Sequence, residues 1–155
     1  MKKLTLAAVL VLILPLWAGA QRADSAPGAA GAIPIEILRD LAQKGDAEAQ
    51  YRLAVEFATG REVPKDDVEA VKWYRKAAEQ GDAKAQFVLG IRYDDGRGVH
   101  QDYVMAHVWY NLAAARAKGG LREYAVAKRD RIAAIMTADQ VAEAQRIARR
   151  WKQKK

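Results

Sequence analysis

Apolar and small residues recur along the middle of the chain at helical spacing. Ala47, Gln50, Leu53, Ala54 and Phe57 follow the i, i+3, i+4 pattern that lines one buried face of a helix. Gly60 stands where such a helix would end in a left-handed residue. Asp66 then precedes a second segment as an N-cap, with Glu69 three positions on. That segment offers Ala70, Trp73, Tyr74, Ala77 and Ala78 as its inner face, and Gly81 closes it. The pattern predicts a pair of helices that approach closely through alanines, with the two tryptophans supplying most of the buried apolar area.

The pair occurs twice. Gly45-Asp46-Ala47-Glu48-Ala49-Gln50 returns as Gly81-Asp82-Ala83-Lys84-Ala85-Gln86, an offset of 36 residues. The same offset relates Leu53 to Leu89, Gly60 to Gly96, Val63 to Val99, Asp66 to Asp102, Trp73 to Trp109 and Tyr74 to Tyr110. Between 45–80 and 81–116, 16 of 36 positions are identical, far above chance at this composition. A unit of two helices cannot cover its own apolar face, so neighbouring units are expected to stack into a solenoid.

These motifs resemble the Sel-one-like repeat (SLR) family, relatives of the tetratricopeptide repeats. The second block carries the pattern as Ala83, Ala85, Gln86, Phe87, Leu89 and Gly90, then Gly96, Gly98, Val99 and Asp102. It ends in Ala106, Trp109, Tyr110, Ala113 and Ala114. The first block departs at Ala54 and Glu62, where the family pattern has glycine. The resemblance implies an all-α, right-handed α/α superhelical solenoid of antiparallel helix pairs. It also implies that the first helix of each repeat lines a concave face that holds a peptide or protein. On that face Arg52, Glu56, Val88 and Arg92 are expected to be exposed, with Glu48, Val55, Lys84 and Ile91 beside them.

The flanks read differently. Met1-Lys2-Lys3, an apolar run from Leu4 to Trp17 and the small-x-small Ala18-Gly19-Ala20 form the pattern of a secretory signal cleaved after Ala20. A run of about 14 residues is short of the ~20 that span a bilayer, which disfavours the alternative of an uncleaved anchor. Residues 21–32, rich in Ala, Gly and Pro, read as a flexible linker. The repeat region is then 33–116, and Ile35 to Lys44 resembles the second helix of a degenerate earlier repeat. Residues 117–155 read as a helical cap with a basic tail. One helix is expected over Leu121 to Met136, with Leu121, Tyr124, Ala125, Ile132 and Ile135 at helical spacing along it, and another after the Thr137-Ala138-Asp139-Gln140 capping box.

Charge refines the picture. The formal net is +7, but residues 21–116 hold 13 Lys/Arg against 15 Asp/Glu, while 117–155 hold 11 against 4. The basicity is a property of the C-terminal third, where Arg149 and Arg150 lie on the last helix. This disfavours a nucleic-acid-binding body. It leaves an alternative reading in which the tail contacts an anionic lipid or cell-wall polymer.

Candidate chemistry is sparse. The absence of Cys removes disulfides, thiol nucleophiles, lipidated cysteine and Cys-ligated metals. Gly96-Arg97-Gly98 has no preceding strand and reads as the interhelix turn. Asp94-Asp95-Gly96 has no closing Glu at calcium-loop spacing. Asp66-Asp67 fits a helix start favoured by the dipole. His100 and His107 have no third metal ligand, and His107 takes the place of Val71, as a packed or half-exposed side chain would. No nucleophile is paired with a base. The expectation is an exported, periplasmic adaptor, not an enzyme, with no cofactor and no metal.

Overall fold

A computed structural model of the chain describes residues 33–153, with side chains through Trp151. The expected signal and linker, and the side chains of 152–155, lie outside the described residues. Seven helices are formed, and no strand occurs among the described residues: α1 (Ile35–Gln43), α2 (Ala47–Thr59), α3 (Asp67–Glu79), α4 (Ala83–Asp95), α5 (Tyr103–Arg116), α6 (Gly119–Ala133) and α7 (Ala138–Gln153). This is the expected all-α helical repeat fold.

The two repeats, α2–α3 and α4–α5, share their local geometry. Asp46 and Asp82 cap α2 and α4 with φ/ψ of −65°/117° and −63°/114°, and each carboxylate accepts a 2.7 Å bond, from the N–H of Ala49 and Ala85 respectively. Gly60 and Gly96 end those helices at φ 71° and 69°, left-handed positions that tax any side chain. Asp66 and Asp102 turn the chain back: their N–H groups donate at 2.9 Å to the carbonyls of Phe57 and Tyr93, and their carboxylates cap α3 and α5. A polar bond then ties each repeat to the helix before it. Gln50 Nε2 donates to Ala42 O at 3.1 Å, and Gln86 Nε2 donates to Ala78 O at 3.0 Å.

The same glutamines show where the repeats diverge. Gln80 Nε2 donates to Gln50 Oε1 and to Gly45 O, each at 2.8 Å, so Gln50 is satisfied at both ends. At the equivalent place in the second repeat stands Arg116, and the buried Gln86 Oε1 has no partner. A buried acceptor left unpaired costs about 1–3 kcal/mol.

Two family-pattern departures now have physical reasons. Gly98 (φ 75°) lies on the start of α3, where an added Cβ would sit 2.1 Å from Asp67 O. Its counterpart Glu62 is exposed, and among the described residues the helix before it, α1, begins at Ile35. Gly90 admits the Tyr110 ring, which a Cβ would meet at 2.6 Å. In the first repeat Ala54 is fully buried at that position, while the aromatic pairing is kept in both: Tyr74 with Tyr51 at 5.8 Å and Tyr110 with Phe87 at 5.7 Å between ring centroids.

Several packing expectations need correction. In α2 the buried set is Ala49, Gln50, Leu53 and Ala54, while Ala47 and Phe57 are half-buried. Trp109 is 1% exposed, but Trp73 is only half-buried, so the two tryptophans are unequal. Of the five residues expected at helical spacing over 121–136, Ala125 and Ile132 are buried, but Tyr124 and Ile135 are 68% and 63% exposed. The cause is the path of α7, which packs on α5 and not on α6. Thr137 and Gln140 form the expected reciprocal capping box, at 2.9 and 3.2 Å. Helix α7 does not continue the repeat signature: it carries Gln145, Arg146, Arg149 and Arg150 where a third repeat would place Trp, Tyr, Ala and Ala.

Candidate interaction surface

Ion pairs bridge the repeats. Arg92 of α4 donates to Asp67 of α3 at 2.6 Å, and its guanidinium lies 5.9 Å from the centre of the Tyr74 ring. Arg131 of α6 pairs with Asp94 of α4, whose Oδ2 also accepts from Tyr110 Oη at 3.4 Å. Burial, with the tyrosine Tyr51 adding to it, pushes the Tyr74 hydroxyl up to about 12. Burial first and Asp94 second push Tyr110 higher still. These phenols stay protonated and serve as packing and bonding groups, not as acids.

Of the quartet expected to be exposed on the first helices, Arg52 alone is. It holds Glu48 at 3.0 Å within α2. Arg92 is buried at 8% exposure because stacking brings the first turn of α3 against it. Val88 is half-buried against the central core. Glu56 is half-buried and accepts from Arg61 at 2.6 Å. Its neighbours Val55 and Ile91 are also half-buried, so the expected apolar contacts belong to the core and the exposed-quartet expectation is corrected. Arg149 and Arg150 are exposed on α7, without an ion pair among the described residues, whereas Arg146 pairs with Glu143.

Helix α7 lays Ala144, Ile147, Ala148 and Trp151 into the same cluster as Val104, Met105, Val108, Trp109 and Leu112 of α5. The Trp109 and Trp151 rings meet edge-on, centroids 4.9 Å apart. Thirty-six positions earlier, the corresponding face of α3 carries Val68, Glu69, Lys72, Trp73 and Lys76. No helix covers it among the described residues. These five side chains, with Val71, Arg75, Glu79 and the Gly98–Val99 loop, line a cleft of about 450 Å³. Lys76 Nζ lies 4.0 Å above the Trp73 ring, Lys72 pairs with Glu69, and Arg75 reaches Tyr93 Oη. Val68 is 53% exposed at the rim.

The sequence reading missed this surface. Its signal was available in the replacement of Met105, Val108 and Leu112 by Glu69, Lys72 and Lys76, around an unchanged tryptophan. The cleft offers an aromatic floor with charges of both signs. It does not bring together a nucleophile and a base. Among the described residues, no group of three or more His, Cys, Asp or Glu could hold a metal ion, and no helix is long and apolar enough to cross a membrane. His107, buried at 3% exposure, leaves Nδ1 without a partner; burial, and then Arg129, lower its pKa below the usual histidine range.

Comparison with known proteins accords with this geometry. The Sel1 repeat family profile matches residues 47–82 and 83–117. A protective antigen of uropathogenic Escherichia coli strains, displaying an SLR fold, superposes with a TM-score of 0.70 at 34% identity. That match covers 76% of this chain but only 24% of the antigen, so the chain spans about a quarter of its length. A Sel1 repeat protein from Oxalobacter formigenes matches at 38% identity and a TM-score of 0.57, over 60% of this chain and 70% of that one. No curated protein matches the chain.

Proposed function

The chain belongs to the Sel1 repeat family, and from that premise we propose that it is an exported, periplasmic adaptor that binds a protein partner and performs no catalysis. The partner surface in this reading is the cleft on α3. The observation that carries it is the half-buried Trp73 in an open cleft, where its repeat counterpart Trp109 is sealed by α7. Exposed apolar surface framed by polar residues is the usual mark of a protein contact, and tryptophan and arginine concentrate binding energy at such contacts. The basic N-terminus, apolar run and Ala18-Gly19-Ala20 support export with cleavage after Ala20.

Crosslinked pull-down from an envelope extract tests the reading. Lys72→Glu with Lys76→Glu should abolish specific capture, while Arg52→Ala on α2 should leave it intact. Equal capture by both variants would contradict the cleft as the partner site. Mass spectrometry of the protein recovered from the envelope checks export: the N-terminus should be Gln21, and an intact Met1 would refute cleavage.

A second reading rests on α7. Its apolar face is used against α5, so Arg149 and Arg150 face outward, unpaired among the described residues. Such a face suits an anionic lipid or cell-wall polymer, and binding of that kind weakens steeply with salt.

A further inference from the structure

We propose that the α3 cleft receives a single amphipathic helix of acidic character, anchored by an aromatic residue beside Trp73, in the way α7 seats Trp151 beside Trp109. This inference deepens the proposed protein-binding role and rests on it. The molecule contains its own template. On α5, one helix lies across Val104, Met105, Val108, Trp109 and Leu112, contributing two fully buried alanines and an edge-on tryptophan. The repeat reproduces that seat on α3, with the same backbone and the same tryptophan.

The substitutions between the two seats define the difference in occupant. Met105, Val108 and Leu112 suit a helix held permanently in place. Glu69, Lys72 and Lys76 keep the vacant seat soluble and place charges around the aromatic floor. Glu69 is already bound by Lys72, which leaves Arg75 and Lys76 against Glu79. The uncompensated charge is therefore positive. A helix like α7 itself, which carries Arg146, Arg149 and Arg150, would be repelled there, whereas one with acidic residues at those positions is attracted. The same electrostatics keep α7 of a second copy out of the cleft.

The test uses a fluorescein-labelled, acetylated peptide of sequence 138–153 with Arg146, Arg149 and Arg150 replaced by Glu, titrated with the full chain. Saturable binding is expected, weakened at least about tenfold when Trp151 of the peptide becomes Ala. The arginine-bearing parent peptide should bind at least about tenfold more weakly than the acidic one. Arg75→Glu with Lys76→Glu on the protein should reverse that order; both positions are exposed, so the variant folds, as circular dichroism would verify. Amide hydrogen exchange should show new protection over 68–79 and 96–100.

Protection over 104–112 instead would mean that the peptide displaces α7, and would overturn the proposal. Absence of binding would overturn it too, as would binding indifferent to the Arg75/Lys76 reversal. The underlying reading is tested separately: if the peptide does not bind, yet Lys72→Glu with Lys76→Glu abolishes capture from extract, the cleft remains the partner site and only its acidic-helix occupant is wrong, whereas unchanged capture would overturn the cleft itself.

Discussion

Helices α3 and α5 are the same element of a repeat, with the same capping aspartate, the same Trp-Tyr pair and the same two alanines, yet they occupy opposite environments. Helix α5 is wrapped by α4, α6 and α7, and eight of its fourteen residues are buried. Helix α3 has one side uncovered among the described residues. The difference does not arise from the repeat signature, which is common to both. It arises from three outward positions that are apolar in α5 and charged in α3, and from a terminal helix that covers the first set. Shared positions specify the stack, and unshared positions specify what each unit faces.

That contrast is most easily broken at the tryptophans. Trp109→Ala removes a fully buried ring together with the surface that receives Trp151, and should cost on the order of 3–5 kcal/mol in urea denaturation. Trp73→Ala removes a half-buried ring and should cost less than half of that. Equal losses would mean that the two seats are not different.

The loops provide the next test. Gly98→Ala forces a side chain at positive φ into the start of α3 and should cost at least about 2 kcal/mol. Glu62→Ala at the matching position should change stability by less than about 0.5 kcal/mol. A melting temperature unchanged by the glycine substitution would show that the loop does not dock on α3.

The unequal glutamines sharpen the comparison from the other direction. Arg116→Gln reinstates in the second repeat the residue that satisfies Gln50 in the first. It should stabilise the protein by about 0.5–1 kcal/mol, because the orphaned Gln86 Oε1 regains a donor. A loss of stability would contradict the equivalence of the two positions.

Smallest is the effect of His107. The folded state binds its proton less readily than the unfolded chain, because burial and Arg129 disfavour the cation, with Asp130 opposing weakly. Its contribution is therefore complete above about pH 6.5, the unfolded value, and is lost as pH falls below it. His107→Val, the residue at the matching position of the first repeat, should flatten the fall in melting temperature as pH drops below about 6.5. An unchanged slope would assign the acid sensitivity elsewhere.

Much of this was legible in the residues themselves. The 36-residue period, the capping aspartates and the left-handed glycines lie close together in sequence, so local rules expose them. Exposure of the quartet did not follow beyond Arg52: burial of Arg92, for one, depends on Asp67 of the preceding repeat, and only stacking brings the two together. The path of α7 was hidden for the same reason: its apolar face fits either α5 or α6, and the sequence of α7 alone does not choose. The open cleft could have been read from Glu69, Lys72 and Lys76, had the two blocks been compared for their differences as well as their identities.

The central claim is that identical tryptophans occupy one sealed seat and one open seat. Hydroxyl-radical footprinting read by mass spectrometry measures this directly on the folded chain. Oxidation of Trp73 should be at least about tenfold faster than that of Trp109, in keeping with half-burial against 1% exposure. Equal rates, or faster oxidation of Trp109, would contradict the account.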